Sequence, residues 1–135
     1  MQDTAPGESS PPLRVFVVEN HADTLEALTM LIGQLGHQVT GASTLSGALD
    51  ALAAEEPDVI VSDIGLPDGS GWDLLRQLPH VPYAIAMSGY GMSADRDRSL
   101  AAGYRHHLVK PMDLEALEAL LAEAARERAA STSSN

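Results

Sequence analysis

The chain has 135 residues and a mass of 14.2 kDa, which suits one domain with a real core and leaves too little for two. It has no cysteine, so disulfide frameworks, zinc–thiolate sites and thiol catalysis are excluded, and a reducing compartment, the cytoplasm, is expected. Acids outnumber bases 19 to 8, for a formal charge of -11, which repels phosphate backbones and argues against direct binding of nucleic acid.

Residues 1–12, MQDTAPGESSPP, carry no apolar period and read as a disordered lead, without the basic-then-apolar layout of a signal peptide. LRVFVV (13–18) is a strand that stops on Glu19 and Asn20, and Asn20 is a good helix cap. Leu25, Leu28, Ile32 and Leu35 then recur at helical spacing, with Gly36 as the stop. A second strand, HQVTGA (37–42), precedes a helix capped by Ser43, carrying Leu45, Leu49 and Leu52 and ended with the help of Pro57. DVIVS (58–62) leads to Asp63 and the turn IGLPDGSG. Ser70 with Asp73 forms a capping box for a helix bearing Leu74, Leu75 and Leu78, halted by Pro79.

YAIAMS (83–88) is the fourth strand, followed by a helix from about Ser93 to Ala102 that stops at Gly103. RHHLV (105–109) is the fifth, and Asp113 caps a last helix with Leu114, Leu117, Leu120 and Leu121 along one face. Residues 130–135 read as a disordered tail. The apolar runs, VFVV and VIV among them, are too short to span a bilayer, so no membrane role is expected. The first, third and fourth strands are nearly continuous apolar runs, as in a parallel sheet buried on both faces, while the more polar second and fifth suit its edges. Alternating strands and helices imply right-handed crossovers, with ligands beyond the carboxyl ends of the strands.

Those ends carry Glu19 and Asn20, Asp63, Ser88, and Lys110 followed by Pro111. Lys110 is the one lysine in a chain with seven arginines, so a point charge is placed where a planar guanidinium was available. Singly, each residue has a plain reading as a cap, turn residue or solvated charge. Together, two carboxylates, an amide oxygen, a hydroxyl and an ammonium match what phosphoryl transfer to a carboxylate needs: oxygen ligands for Mg²⁺, an aspartate nucleophile, and positive and hydroxyl groups for the phosphoryl oxygens.

VFVVENHADT, VIVSDIGLPDGSGWDLL, AIAMSGYG and HHLVKPMDLEAL stand in an order and spacing that resemble the receiver domains of two-component response regulators, over residues 13–128. The resemblance implies a flavodoxin-like (βα)5 fold, a five-stranded parallel sheet of order 2-1-3-4-5 with helices on both faces, across a domain of residues 13–129. It also implies Mg²⁺ as cofactor and a phosphoryl group taken from a histidine kinase or histidine phosphotransfer protein. By position, Asp63 matches the phosphoacceptor, Ser88 the switch hydroxyl and Lys110 the lysine on the phosphoryl group. Glu19, Asn20, Asp63 and the backbone carbonyl of Gly65 match the metal ligands, and the Lys110–Pro111 peptide is expected cis.

Two positions depart from the family pattern. Glu19 is one methylene longer than the usual first acid, and Asn20 replaces the second, which keeps an oxygen but loses a charge; weaker Mg²⁺ binding is expected. His107 stands where an aromatic often swings inward with the switch hydroxyl, and both a switch role and a half-exposed strand residue remain open. His21 reads as a solvated loop histidine with a ligand role as the lesser reading, and Trp72, Met87 and Met112 as packing residues. Tyr90 and Gly65 are candidates to set water access to the acceptor.

The output is expected through the face of the fourth helix, fifth strand and fifth helix, including Tyr104 and His107, toward an unidentified protein partner. The alternative is a pseudo-receiver binding module whose metal site Asn20 has weakened too far. An enzyme is not expected: aspartyl-phosphate phosphatases carry a second aspartate two residues after the nucleophile, where this chain has Gly65.

Overall fold

The computed structural model describes residues 12–89, 93–110 and 113–133. Nearly all of the expected lead, Tyr90, Pro111 with its peptide bond, Met112 and the last two residues of the tail lie outside the described residues. The elements in chain order are β1 (Arg14–Val18), α1 (Ala22–Gln34), β2 (Gln38–Ala42), α2 (Leu45–Ala54), β3 (Val59–Asp63), β4 (Gly65–Leu66), β5 (Gly69–Ser70), α3 (Gly71–Arg76), β6 (Tyr83–Ser88), α4 (Ser93–Ala102), β7 (His106–Val109) and α5 (Leu114–Ser133). The five expected strands form one parallel sheet in the order β2-β1-β3-β6-β7. That is the expected 2-1-3-4-5 order, with the polar strands at the edges.

Both sheet faces are apolar because alternate residues of each strand point to opposite layers. Val15 and Val17 of β1 pack with Val59, Val61, Ile85 and Met87 beneath α1 and α5, through Leu28, Ile32, Leu117 and Leu121. Phe16 and Val18 pack the other way, with Ile60, Ala84 and Ala86, against Leu45, Leu52, Leu74 and Leu75 of α2 and α3. Full burial of each large aliphatic side chain contributes about 1.5–3 kcal/mol, so this double-sided packing is what holds the sheet. Met87 lies in it as expected. Leu35 and Leu114, expected on the core stripes, are exposed instead; they stand at the very ends of their helices, where the stripe runs off the sheet.

Gly36 and Gly103 end α1 and α4 at φ of 99° and 118°, the left-handed conformation that side chains disfavour. Thr44, not Ser43, caps α2, accepting the Gly47 amide at 3.0 Å, because the helix starts one residue later than the apolar pattern suggested. Ser70 caps α3 through the Asp73 amide as expected, and Asp113 accepts the Glu115 amide at the head of α5. The α5 backbone continues to Ser133, past residue 130 where the sequence predicted a tail; the run of alanines before it favours helix. The turn after Asp63 contains a two-residue antiparallel ribbon, β4 with β5. Among the described residues, no helix is long and apolar enough to cross a membrane.

Candidate functional site

Strand register assembles the site. Val18 pairs with Ser62 and Asp63 with Met87, while Val109 pairs with Ser88. One residue further along β1 is Glu19, which therefore stands beside Asp63 where the strand order reverses between β1 and β3. One residue beyond β7 is Lys110, whose amide still donates to the Ser88 carbonyl at 2.7 Å. Four of the five side chains picked from the strand ends thus meet at one edge of the sheet, at the switch point where open α/β sheets bind ligands.

Glu19 is fully buried and Asp63 nearly so. The Lys110 ammonium bridges them, donating to Glu19 Oε1 at 2.6 Å and lying 2.8 Å from Asp63 Oδ1. One cation shared by two buried carboxylates leaves a net negative charge. The electrostatics divide the pair. Burial raises the Asp63 carboxyl to about 6, with Lys110 opposing and the neighbouring Glu19 adding to the rise. Burial pushes Glu19 the same way, but hydrogen bonds from Lys110 and the His21 amide outweigh it and hold Glu19 below the ordinary value. The Lys110 ammonium loses some hydration, yet the two carboxylates raise its pKa and keep it charged.

The donor set fits a divalent cation. Glu19, His21 and Asp63 offer ligand atoms within 4.8 Å of one another, and hard carboxylate oxygens in net-negative surroundings suit Mg²⁺. Gly65 opens β4 two residues past Asp63 and is exposed. Asn20 is exposed and does not cap α1; the cap position is His21, with no side-chain cap bond. The Glu19 carboxylate accepts the amide of that cap residue at 2.9 Å and lies 3.1 Å from His21 Nδ1.

Ser88 is buried at the end of β6, with Oγ 2.8 Å from His107 Nε2. His107 is buried as well; its Nδ1 lies 2.9 Å from Ser99 Oγ of α4, and Ser99 accepts the Trp72 indole N–H at 3.0 Å. The Arg98 guanidinium sits 3.9 Å over the Trp72 ring. Burial, together with the Arg96 charge, lowers the His107 pKa, so the imidazole is neutral at neutral pH. Trp72 packs as expected, but its hydrogen bond, and Ser99 altogether, escaped the sequence reading.

Tyr104, expected on the output face, is buried and donates to the Gly71 carbonyl at 2.7 Å. Gly71 is glycine for a local reason: a Cβ there would lie 2.5 Å from the Asp63 carbonyl oxygen and 2.9 Å from Tyr104 Oη. Asp68, in the β4–β5 turn, accepts the Leu45 and Ser46 amides at 2.7 and 2.9 Å, tying the segment after Asp63 to the head of α2.

An open five-stranded parallel sheet with an acid pair and a lysine at its switch point defines a flavodoxin-like α/β domain. The chain matches the response regulator receiver domain over residues 15–122 and belongs to that family. It is similar to the transcriptional regulatory protein KdpE of Mycobacterium tuberculosis, 37% identical over 118 residues that cover 86% of this chain and 52% of that protein. The chain therefore spans about half the length of KdpE. It is also 29% identical to the sensor histidine kinase RcsC of Salmonella typhi, over 85% of this chain and 12% of that protein. In structure it is similar to the N-terminal domain of a protein from Wolinella succinogenes, with a TM-score of 0.82 at 24% identity over 88% of this chain and 98% of that one, a likeness of fold.

Proposed function

We propose that the protein is a phosphoacceptor signalling module, rather than an enzyme acting on an external substrate, in which Asp63 receives a phosphoryl group from a histidine kinase or histidine phosphotransfer protein. The observation that carries this reading is the Lys110 ammonium held between buried Asp63 and buried Glu19. A carboxylate oxygen of Asp63 attacks phosphorus; the new P–O bond forms as the P–N bond to the donor histidine breaks, and the imidazole leaves with its electron pair. Lys110 then turns its charge to the phosphoryl oxygens. Glu19, Asp63, the amide oxygen of Asn20 and the Gly65 carbonyl would hold Mg²⁺, which neutralises phosphoryl charge when bound.

Switching starts from Ser88. In the resting arrangement its hydroxyl is engaged with His107, so turning toward the phosphoryl group breaks that bond. Ser88 and Ser99 bracket the two ring nitrogens of neutral His107, one partnering its N–H and the other its lone pair. Loss of the Ser88 partner leaves a buried ring nitrogen unsatisfied, which drives His107, and with it α4, to rearrange. The readout surface is the face of α4, β7 and α5. There, exposed Leu100 lines a cavity of about 430 Å³ with Arg96, His106, Leu108, Ala116 and Leu120, and Val109 and Leu114 are exposed on β7 and α5, which suits a protein partner. We place this activity in the cytoplasm and assign it no direct contact with nucleic acid.

The test is Mg²⁺-dependent labelling with a small-molecule phosphodonor, read by intact mass. One phosphoryl adduct on the wild type that is lost in Asp63→Asn is the expected outcome. No adduct at any Mg²⁺ concentration, with labelling restored by Asn20→Asp, would instead make the chain a pseudo-receiver binding module.

A further inference from the structure

We infer that His21 is a ligand of the cation site, and that its imidazole tunes the site toward first-row transition-metal dications relative to Mg²⁺. The inference rests on the reading of this sheet edge as a divalent-cation site and adds the donor that the sequence left in doubt. The two carboxylates beside Lys110 are buried, but the His21 side chain is 72% exposed, so nothing in the packing forces its ring inward. Its Nδ1 nevertheless lies 3.1 Å from Glu19 Oε2, the oxygen that Lys110 leaves to it by bonding Oε1.

The spacing suits coordination. Ligand atoms about 2.1 Å from one ion lie about 3 Å apart when adjacent and about 4.2 Å apart when opposite. The Glu19–His21 separation already has the adjacent value, and the full set with Asp63 falls within 4.8 Å, so closing on an ion takes less than an ångström of movement. The Glu19 carboxylate also accepts the His21 amide at 2.9 Å, which fixes the backbone that carries the ring.

Donor chemistry sets the preference. Asn20 offers a neutral oxygen where an acid would bind a hard cation by charge, and the imidazole adds a nitrogen instead. Nitrogen contributes little to Mg²⁺, which prefers oxygen and water, but suits Zn²⁺, Ni²⁺ and Fe²⁺. Since any mixed site binds Ni²⁺ above Mg²⁺ to some degree, the diagnostic quantity is the change in the Ni²⁺-to-Mg²⁺ affinity ratio when the imidazole is removed.

The experiment is calorimetric titration of the full chain with NiCl₂ and MgCl₂, in the wild type, His21→Ala and Asp63→Asn, the last marking which binding event belongs to this site. The expected result is a fall in the Ni²⁺-to-Mg²⁺ affinity ratio of about tenfold or more in His21→Ala. Because His21 is exposed, that variant keeps its fold. An unchanged ratio, with both metals still bound at the site that Asp63→Asn weakens, would overturn ligation by His21 and leave the Mg²⁺-dependent reading standing. Failure of both metals to bind the wild type would overturn both.

Discussion

Asp63 occupies a position where ionisation is disfavoured, and this makes a prediction about stability. Its pKa moves from 3.8 to about 6 in the fold, so between those values the native state binds more protons than the unfolded chain. Stability is therefore lost as pH rises through that window, by on the order of 3 kcal/mol. Asparagine stays neutral throughout. In a metal chelator Asp63→Asn should be more stable than the wild type by about that amount at about pH 7.5, with the gap closing toward about pH 4. Denaturant titrations at the two pH values read it; a variant no more stable at the higher pH would mean that Lys110 already compensates the buried charge in full. His107 works in the opposite sense. Its lowered pKa means that the unfolded chain takes up the proton first, so its contribution to stability is present above 6.5 and is lost as pH falls below that value.

At the scale of elements, two contacts tie the site to its surroundings. Asp68 accepts the first two amides of α2, and Thr44 the third, leaving little of the helix head unsatisfied. Asp68→Ala should speed hydrogen exchange at the Leu45 and Ser46 amides and lower the melting temperature, while leaving strand amides protected; unchanged exchange at those two positions would show that water caps the helix equally well. Ser99 joins α3 to β7 by accepting from Trp72 and meeting His107. Ser99→Ala removes a partner of the buried His107 ring and of the half-buried Trp72 N–H, so it should cost about 1–3 kcal/mol. It should also uncouple Trp72 emission from phosphorylation of Asp63. A Trp72 response as large as the wild type's would remove Ser99 from the path.

Across the whole molecule, the net charge of -11 makes the folded state repel itself. Raising monovalent salt to about 0.15 M shortens the screening length to about 8 Å, so the melting temperature should rise over that range; a fall would mean that attractive pairs such as Arg14–Glu55 and Arg128–Asp58 outweigh the repulsion. The fold was legible because its information is periodic: unbroken apolar runs for inner strands, helical stripes between them, and a polar residue ending each run. The same rule exposed Glu19 and Ser88, each the first polar group after a buried apolar run, while Asp63 follows Ser62 and Lys110 follows a polar edge strand, and both stood out by their place at a strand end. What stayed hidden depends on side-chain direction between elements. Trp72 meets Ser99 across 27 residues and Asp68 meets Ser46 across 22, with no local pattern to mark either, and the β4–β5 ribbon is too short to show a period. Tyr104 looked like a surface residue beside a strand, yet its ring fills the space above Gly71.

The thread from Ser88 through His107 and Ser99 to Trp72 is polar, but its first three members are buried, where water is a poor substitute for a missing partner. A half-turned Ser88 would satisfy neither His107 nor the phosphoryl oxygens. On the proposed reading such a thread disfavours compromise, so the switch would act as a toggle rather than a dial: partial phosphorylation of a population would yield a mixture of two forms, each fully at rest or fully turned. The strength of the signal is then carried by the fraction of molecules in the second form and not by how far any one of them has moved.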